Sequence, residues 1–99
     1  MALMITPDGT RTPITGDGEG GRVDLQQLYR LIGCDLVEHI DCDPKATGGY
    51  DGCYFDEMGK LKAALPNPDA TAMCTWIAFD DVIVGTAIFV NTDDDGYSH

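Results

Sequence analysis

Apolar residues recur at helical spacing in one stretch of the chain. In VDLQQLYRLIG, which begins at Val23, residues Leu25, Leu28, Leu31 and Ile32 fall on one stripe. Asp24 stands where an N-cap carboxylate accepts a free amide of the first turn. Gln27, three residues on, completes a capping-box pattern, and Val23 and Leu28 are spaced as a hydrophobic staple. Gly33 is placed to stop the helix at C′. The spacing predicts a helix over Leu25 to Ile32.

Elsewhere the pattern is that of short strands separated by turn residues. Ala2 to Ile5 and Thr12 to Thr15 flank Pro7-Asp8-Gly9 and read as a hairpin, followed by the loop GDGEGG from Gly16 to Gly21. Leu36 to Cys42 has strand length, and Lys45 to Asp51 reads as a loop. Cys53 to Asp56 reads as a strand entering the turn Glu57 to Lys60. Gly59 would supply a positive φ there, and Leu61 to Leu65 would form the return strand. Pro66 and Pro68 end that strand, and Asp69 opens a second helix through Ala70, Met73, Cys74 and Ile77. Val82 to Val90, VIVGTAIFV, is apolar on both faces and β-branched, the signature of a central, doubly buried strand. The elements together predict one small α+β domain over residues 1–99, a mixed β-sheet with one or two helices packed on one face. Leu25, Leu28, Ile32, Trp76, Val82, Val84 and Ile88 are its expected core. Residues 1–22 are read as a hairpin and glycine-rich loop, and residues 91–99 as an acidic tail.

Charge narrows the functions this domain can serve. Seventeen acidic residues face six basic ones, a net charge of −11, and no Lys or Arg follows Lys62. Such a surface repels nucleic acid and anionic membrane and attracts basic proteins. Direct nucleic-acid binding is therefore not expected. No apolar run approaches the ~20 residues of a membrane span, and MALMITPDGTR lacks the basic and apolar regions of a signal peptide. A cytoplasmic protein is expected, with Cys34, Cys42, Cys53 and Cys74 as reduced thiols. No C-x-x-C spacing points to zinc.

The segments DLQQLYRLIGCDLVEHI, DEMGKL, LPNPDATAM and IVGTAIFV, in that order from Asp24 to Val90, resemble the DUF3846 domain family of phage and bacterial genomes. Members of that family carry Gly-Gly where Gly33-Cys34 stands here, and Gly48 to Gly52 reads as an insertion. The resemblance implies a small phage-type accessory protein and carries over no catalytic residue.

Candidate chemistry is sparse. NTDDDG, from Asn91, opens like an EF-hand loop. The chain stops at His99 before the bidentate Glu such a loop needs, so Asn91, Asp93 and Asp95 are at best a weak calcium set in a solvated tail. Ser98 is the single serine, which leaves no triad. His39 with Cys34, Cys42 or Cys53 is a conceivable Cys–His pair, set against a plain strand histidine. Asp41 and Asp43 lie about 6.6 Å apart along a strand, and nothing marks either as desolvated. Gly48, Gly49, Tyr50 and Gly52 form a glycine-rich loop with a ring that would suit a small ligand, and Asn67 either caps the second helix or meets a partner. No cofactor and no enzymatic activity are expected. Two functions follow. One is an acidic inhibitor or decoy that binds a basic host protein, for instance one handling nucleic acid or defence, through Asp69, Asp80 and Asp81. Carboxylates repeating at about 6.6 Å would match two phosphate rises of about 3.4 Å. The alternative is an oligomeric sponge for a nucleotide signal, which would require the six basic residues to converge.

Overall fold

The computed structural model describes residues 1–78 and 80–99. In chain order the elements are β1 (Ala2–Ile5), β2 (Arg11–Ile14), α1 (Leu25–Ile32), β3 (Val37–Asp41), the one-turn α2 (Pro44–Thr47), β4 (Gly52–Asp56), α3 (Pro68–Met73) and β5 (Ala87–Val90). The strands form one sheet in the order β2-β1-β5-β4-β3. The fold is α+β, but the sheet is antiparallel at every pairing rather than mixed. The reason is topological. β1–β2 and β3–β4 are each locally connected and so antiparallel. β5 then enters between β1 and β4, which run the same way, and opposes both.

All four residues of β5 are buried, which bears out a central, doubly buried strand. Ala87 and Phe89 point to one face with Ile5, Cys53 and the α3 residues Ala70 and Met73. Ile88 and Val90 point to the other face with Ala2, Val23 and the α1 residue Leu28. The helices therefore cover opposite faces, not one face. A strand apolar on both sides leaves two surfaces to remove from water.

α1 has the expected bounds. Asp24 accepts the Gln27 amide at 3.0 Å, and Gly33 takes the left-handed conformation at φ 78°. The capping box does not close, because the Gln27 side chain turns away to accept from the Asp17 amide and donate to the Thr15 carbonyl. That buried amide staples the loop after β2 onto the helix. The stripe also sits off the expected centre, with Leu28 buried and Leu25 52% exposed.

Other boundaries differ from expectation for local reasons. Residues 82–86 do not extend β5, since Gly85 at φ 76° breaks the run and Val84 makes only an isolated bridge to Pro66. Val84 is buried, while Val82 and Trp76 are exposed. No return strand forms over 61–65. β4 already has β3 and β5 on its two edges, so Leu61 and Leu65 stay in solvent. Gly59 is needed for space rather than for positive φ, since a Cβ there would meet Val84 Cγ2 at 2.9 Å. The expected loop over 45–51 contains α2, with Asp43 as N-cap, Pro44 opening it and Gly48 left-handed at its end. The second helix stops at Met73, and Asn67 rather than Asp69 is its N-cap.

Asn67 is fully buried. Its Oδ1 accepts the Ala70 amide at 3.1 Å, and its Nδ2 donates to the carbonyls of Ile5 and Gly85, both at 2.9 Å. Asn67→Ala removes a cap and strands two carbonyls, one buried and one part-buried, and should lower stability by about 3 kcal/mol. Urea unfolding followed by circular dichroism would measure it. A loss below about 1 kcal/mol would show that the carbonyls find water instead.

Candidate functional site

The glycine-rich segment after α2 folds onto itself. Thr47 Oγ1 donates to the Tyr50 carbonyl and accepts the Tyr50 amide, and the Tyr50 ring packs toward Phe89 with centroids 6.4 Å apart. Gly48 ends α2, and Gly49 lies at φ 119°. Gly52 belongs to β4, where the His39 ring occupies the space a Cβ would need, with Nε2 at 2.5 Å. The segment thus presents no free stacking ring, and Asn67 is spent inside the fold. His39 lies on Tyr54, with centroids 4.8 Å apart, whereas Cys42 and Cys53 belong to the core on the other face. The sheet thus separates that histidine from those thiols. Asp43 caps α2 by accepting the Lys45 amide, and Asp41 is exposed on β3.

The C-terminal residues are a small hairpin, not a loose tail. Asn91 and His99 exchange backbone hydrogen bonds at 2.9 and 2.7 Å, and Ser98 takes the Val23 amide at 2.8 Å. Asp93 turns inward: Oδ1 accepts the amides of Asp95 and Tyr97, and Oδ2 lies 2.7 Å from His99 Nε2. Its oxygens are thus committed within the turn. Among the described residues no three His, Cys, Asp or Glu side chains are gathered to hold a metal.

The basic residues do not converge. Arg11 pairs with Asp69, Arg30 with Asp17, Lys60 with Asp81 and Lys62 with Asp56. Arg22 lies over the Tyr97 ring at 3.5 Å. Of the three carboxylates expected to form one acidic face, Asp69 and Asp81 are each held by a cation, on β2 and on the turn after β4 respectively. Asp80 is exposed. The three do not make an uncompensated stripe.

Two carboxylates outside every ion pair among the described residues, Glu38 and Glu57, stand beside the open edge of β3. A cavity of about 130 Å³ lies there, between β3, β4, the turn after β4, Ile77 and residues 81–84. Ile40, Phe55, Ile77, Ile83 and Val84 make its floor, and Glu38, Asp56, Glu57 and Asp81 its rim. Lys60 crosses the rim to Asp81 at 2.5 Å, and Lys62 reaches Asp56 at 2.9 Å. The Lys60 hydrogen bond, with the Val82 amide behind it, holds the Asp81 carboxyl below its usual range. Glu38 and Glu57 have no ion-pair partner among the described residues. The arrangement joins an apolar floor to excess negative charge, the surroundings in which an arginine or lysine stem is buried while its head meets carboxylates. Sequence reading missed it because its residues come from four separate segments. The one local signal was Glu38 two positions before Ile40, on the same face of a short strand.

A second, wider hollow of about 470 Å³ lies between α1 and the C-terminal hairpin, lined by Val23, Leu25, Leu28, Tyr54 and Tyr97. No protein family, curated protein or solved structure matches the chain. No helix among the described residues is long and apolar enough to cross a membrane.

The hairpin has a pH signature. The His99 hydrogen bond, followed by the Tyr97 amide, lowers the Asp93 carboxyl below its model-compound value of 3.8. A depressed carboxyl stabilises the fold above its unfolded pKa, and that contribution is lost as pH falls through the lower folded value. In an NMR titration the Asp95 and Tyr97 amides should shift together with a midpoint below 3.8. A midpoint at or above that value would mean the turn does not hold Asp93.

Proposed function

We propose that this chain is a non-enzymatic acidic binding protein that docks on a basic protein surface through the β3 edge and its carboxylate-rimmed cavity. The carrying observation is the juxtaposition of unpaired Glu38 and Glu57 with an apolar floor at a free sheet edge. An edge strand offers unused backbone groups to an incoming extended segment, and the cavity offers a seat for its basic side chain. The resemblance to the DUF3846 family adds a setting, that of a phage-type accessory protein acting in the host cytoplasm on a defence or nucleic-acid-handling protein. Repulsion between two chains of net charge −11 favours a basic partner over a second copy. The nucleotide-sponge reading draws no support from the geometry, since Tyr50 is packed and the basic residues are dispersed and largely neutralised.

A direct test is NMR titration of the full chain with a capped pentapeptide alternating valine and arginine. Shifts should concentrate at Ile40, Phe55 and Val84. Glu38→Gln with Glu57→Gln should weaken binding about tenfold, and about 0.5 M salt should remove most of it. Equal binding by the double variant, or shifts spread evenly over Asp24, Asp94 and the cavity, would reduce the interaction to undirected attraction by net charge.

A further inference from the structure

Three cysteines, Cys42, Cys53 and Cys74, meet in the core on the α3 face of the sheet. Cys42 and Cys74 are 32 positions apart in sequence, yet their sulfurs lie 4.0 Å from each other. Cys42 immediately follows β3, and Cys74 is the C-cap of α3, at φ −92° and ψ 69°, already outside helical geometry. Both therefore sit at ends of elements, where closure by about 2 Å to disulfide distance needs only local adjustment. Cys53 lies mid-strand in β4, paired to β3 and β5 on its two sides, and is far less free to move. Cys74, 2% exposed, also lines a surface hollow of about 160 Å³ with Thr71, Thr75 and Asp81, the side from which a small solute would approach it.

We propose that Cys42 and Cys74 are a modification site, a dithiol that a peroxide-class oxidant converts to a disulfide latching the end of α3 to the end of β3. The Cys74 thiolate attacks one peroxide oxygen. The O–O bond breaks, hydroxide leaves, and Cys74 becomes a sulfenic acid. The Cys42 sulfur then attacks the Cys74 sulfur, forming the S–S bond and expelling a second hydroxide. The two thiol protons neutralise the two hydroxides, so two thiols and one peroxide give one disulfide and two waters. Cys74 is the first to react because it borders the hollow and because the Cys42 thiol is hydrogen-bonded to it.

The reaction is slow at neutral pH. The hydrogen bond to Cys42 lowers the Cys74 thiol, but Cys53 and burial outweigh it and push it up to about 12. The bond to Cys74, then burial, drives Cys42 higher still. The rate should rise about tenfold per pH unit, following the thiolate fraction. The latch suits sustained oxidation rather than rapid sensing.

The sequence makes the test direct. Cleavage after Arg30, Glu38, Lys45, Glu57 and Lys62 puts each cysteine on its own peptide. The native full chain is treated with hydrogen peroxide, its remaining thiols are alkylated, and trypsin with a glutamate-specific protease is applied. A cross-link between the peptides carrying Cys42 and Cys74, with Cys34 and Cys53 alkylated, is the expected result. A chain oxidised in urea should give mixed pairings. The oxidised native chain should melt about 10 °C higher than the reduced one, reversibly with dithiothreitol. Alkylation of all four thiols after peroxide, or a Cys53 bond as the main native product, would overturn the proposal. So would a bond that lowers the melting temperature.

Discussion

One buried amide sets the geometry of half the molecule. Asn67 starts α3 with its oxygen while its nitrogen holds the carbonyls of Ile5, at the end of β1, and Gly85, just before β5. Its backbone amide also donates to the Ile83 carbonyl at 2.8 Å. Thr71, one turn on, extends the same seam by accepting the Ile83 amide through its hydroxyl. The long irregular path from β4 to β5 is thereby fixed at its midpoint and its end. β5 is delivered into the slot between the two hairpins in the one register that buries Phe89 and Ile88 on opposite faces. A carboxylate in place of the amide could accept but not donate, and a leucine could do neither. The position demands one acceptor and two donors in a fixed plane, which only a side-chain amide of this length supplies.

The parts of this fold that were readable in sequence are those written in contiguous residues. The stripe, N-cap and terminal glycine of α1, the β1–β2 hairpin and the double apolarity of β5 all depend on neighbours a few positions apart. α2 was equally well written, with Asp43 as cap, Pro44 opening it and Gly48 closing it, but four residues carry no periodicity to mark them. The Asp95-Gly96 step likewise is a standard hairpin signal, hidden by the acidity that made the segment read as a tail. The exposure of Trp76, Leu25 and Val82 was not readable. It depends on where the chain path between β4 and β5 leaves room, and that path is set by Asn67. The carboxylate-rimmed cavity was out of reach for the same reason, since Ile77 and residues 81–84 approach β3 only once that path is fixed.

The charge excess is tolerated because it is distributed. Four of the six basic residues neutralise a particular carboxylate nearby, and Arg22 covers an aromatic ring. Capping duty occupies other carboxylates: Asp24 and Asp43 meet helix amides, and Asp93 meets turn amides. Each such bond offsets part of the self-repulsion expected at −11. Among the described carboxylates without such a partner, Glu38 and Asp41 lie on β3 and Glu57 follows β4, where the sheet itself is incomplete.

That placement bears both on how the sheet edge avoids pairing with itself and on the docking proposed above. β2 and β3 are the two open edges of the sheet. β2 carries Pro13, which cannot donate a ladder hydrogen bond, and Arg11 paired to Asp69. β3 has no proline, and its defence is charge, with Glu38 and Asp41 exposed along it. Like charges facing each other across a ladder are destabilising, so another copy of β3 is turned away. The same charges do not penalise a basic strand; in the proposed docking they would attract it toward the cavity floor. An edge guarded by carboxylates is therefore selective rather than closed, and the energetic term that keeps this chain from pairing with itself is the term that would admit a partner of opposite sign.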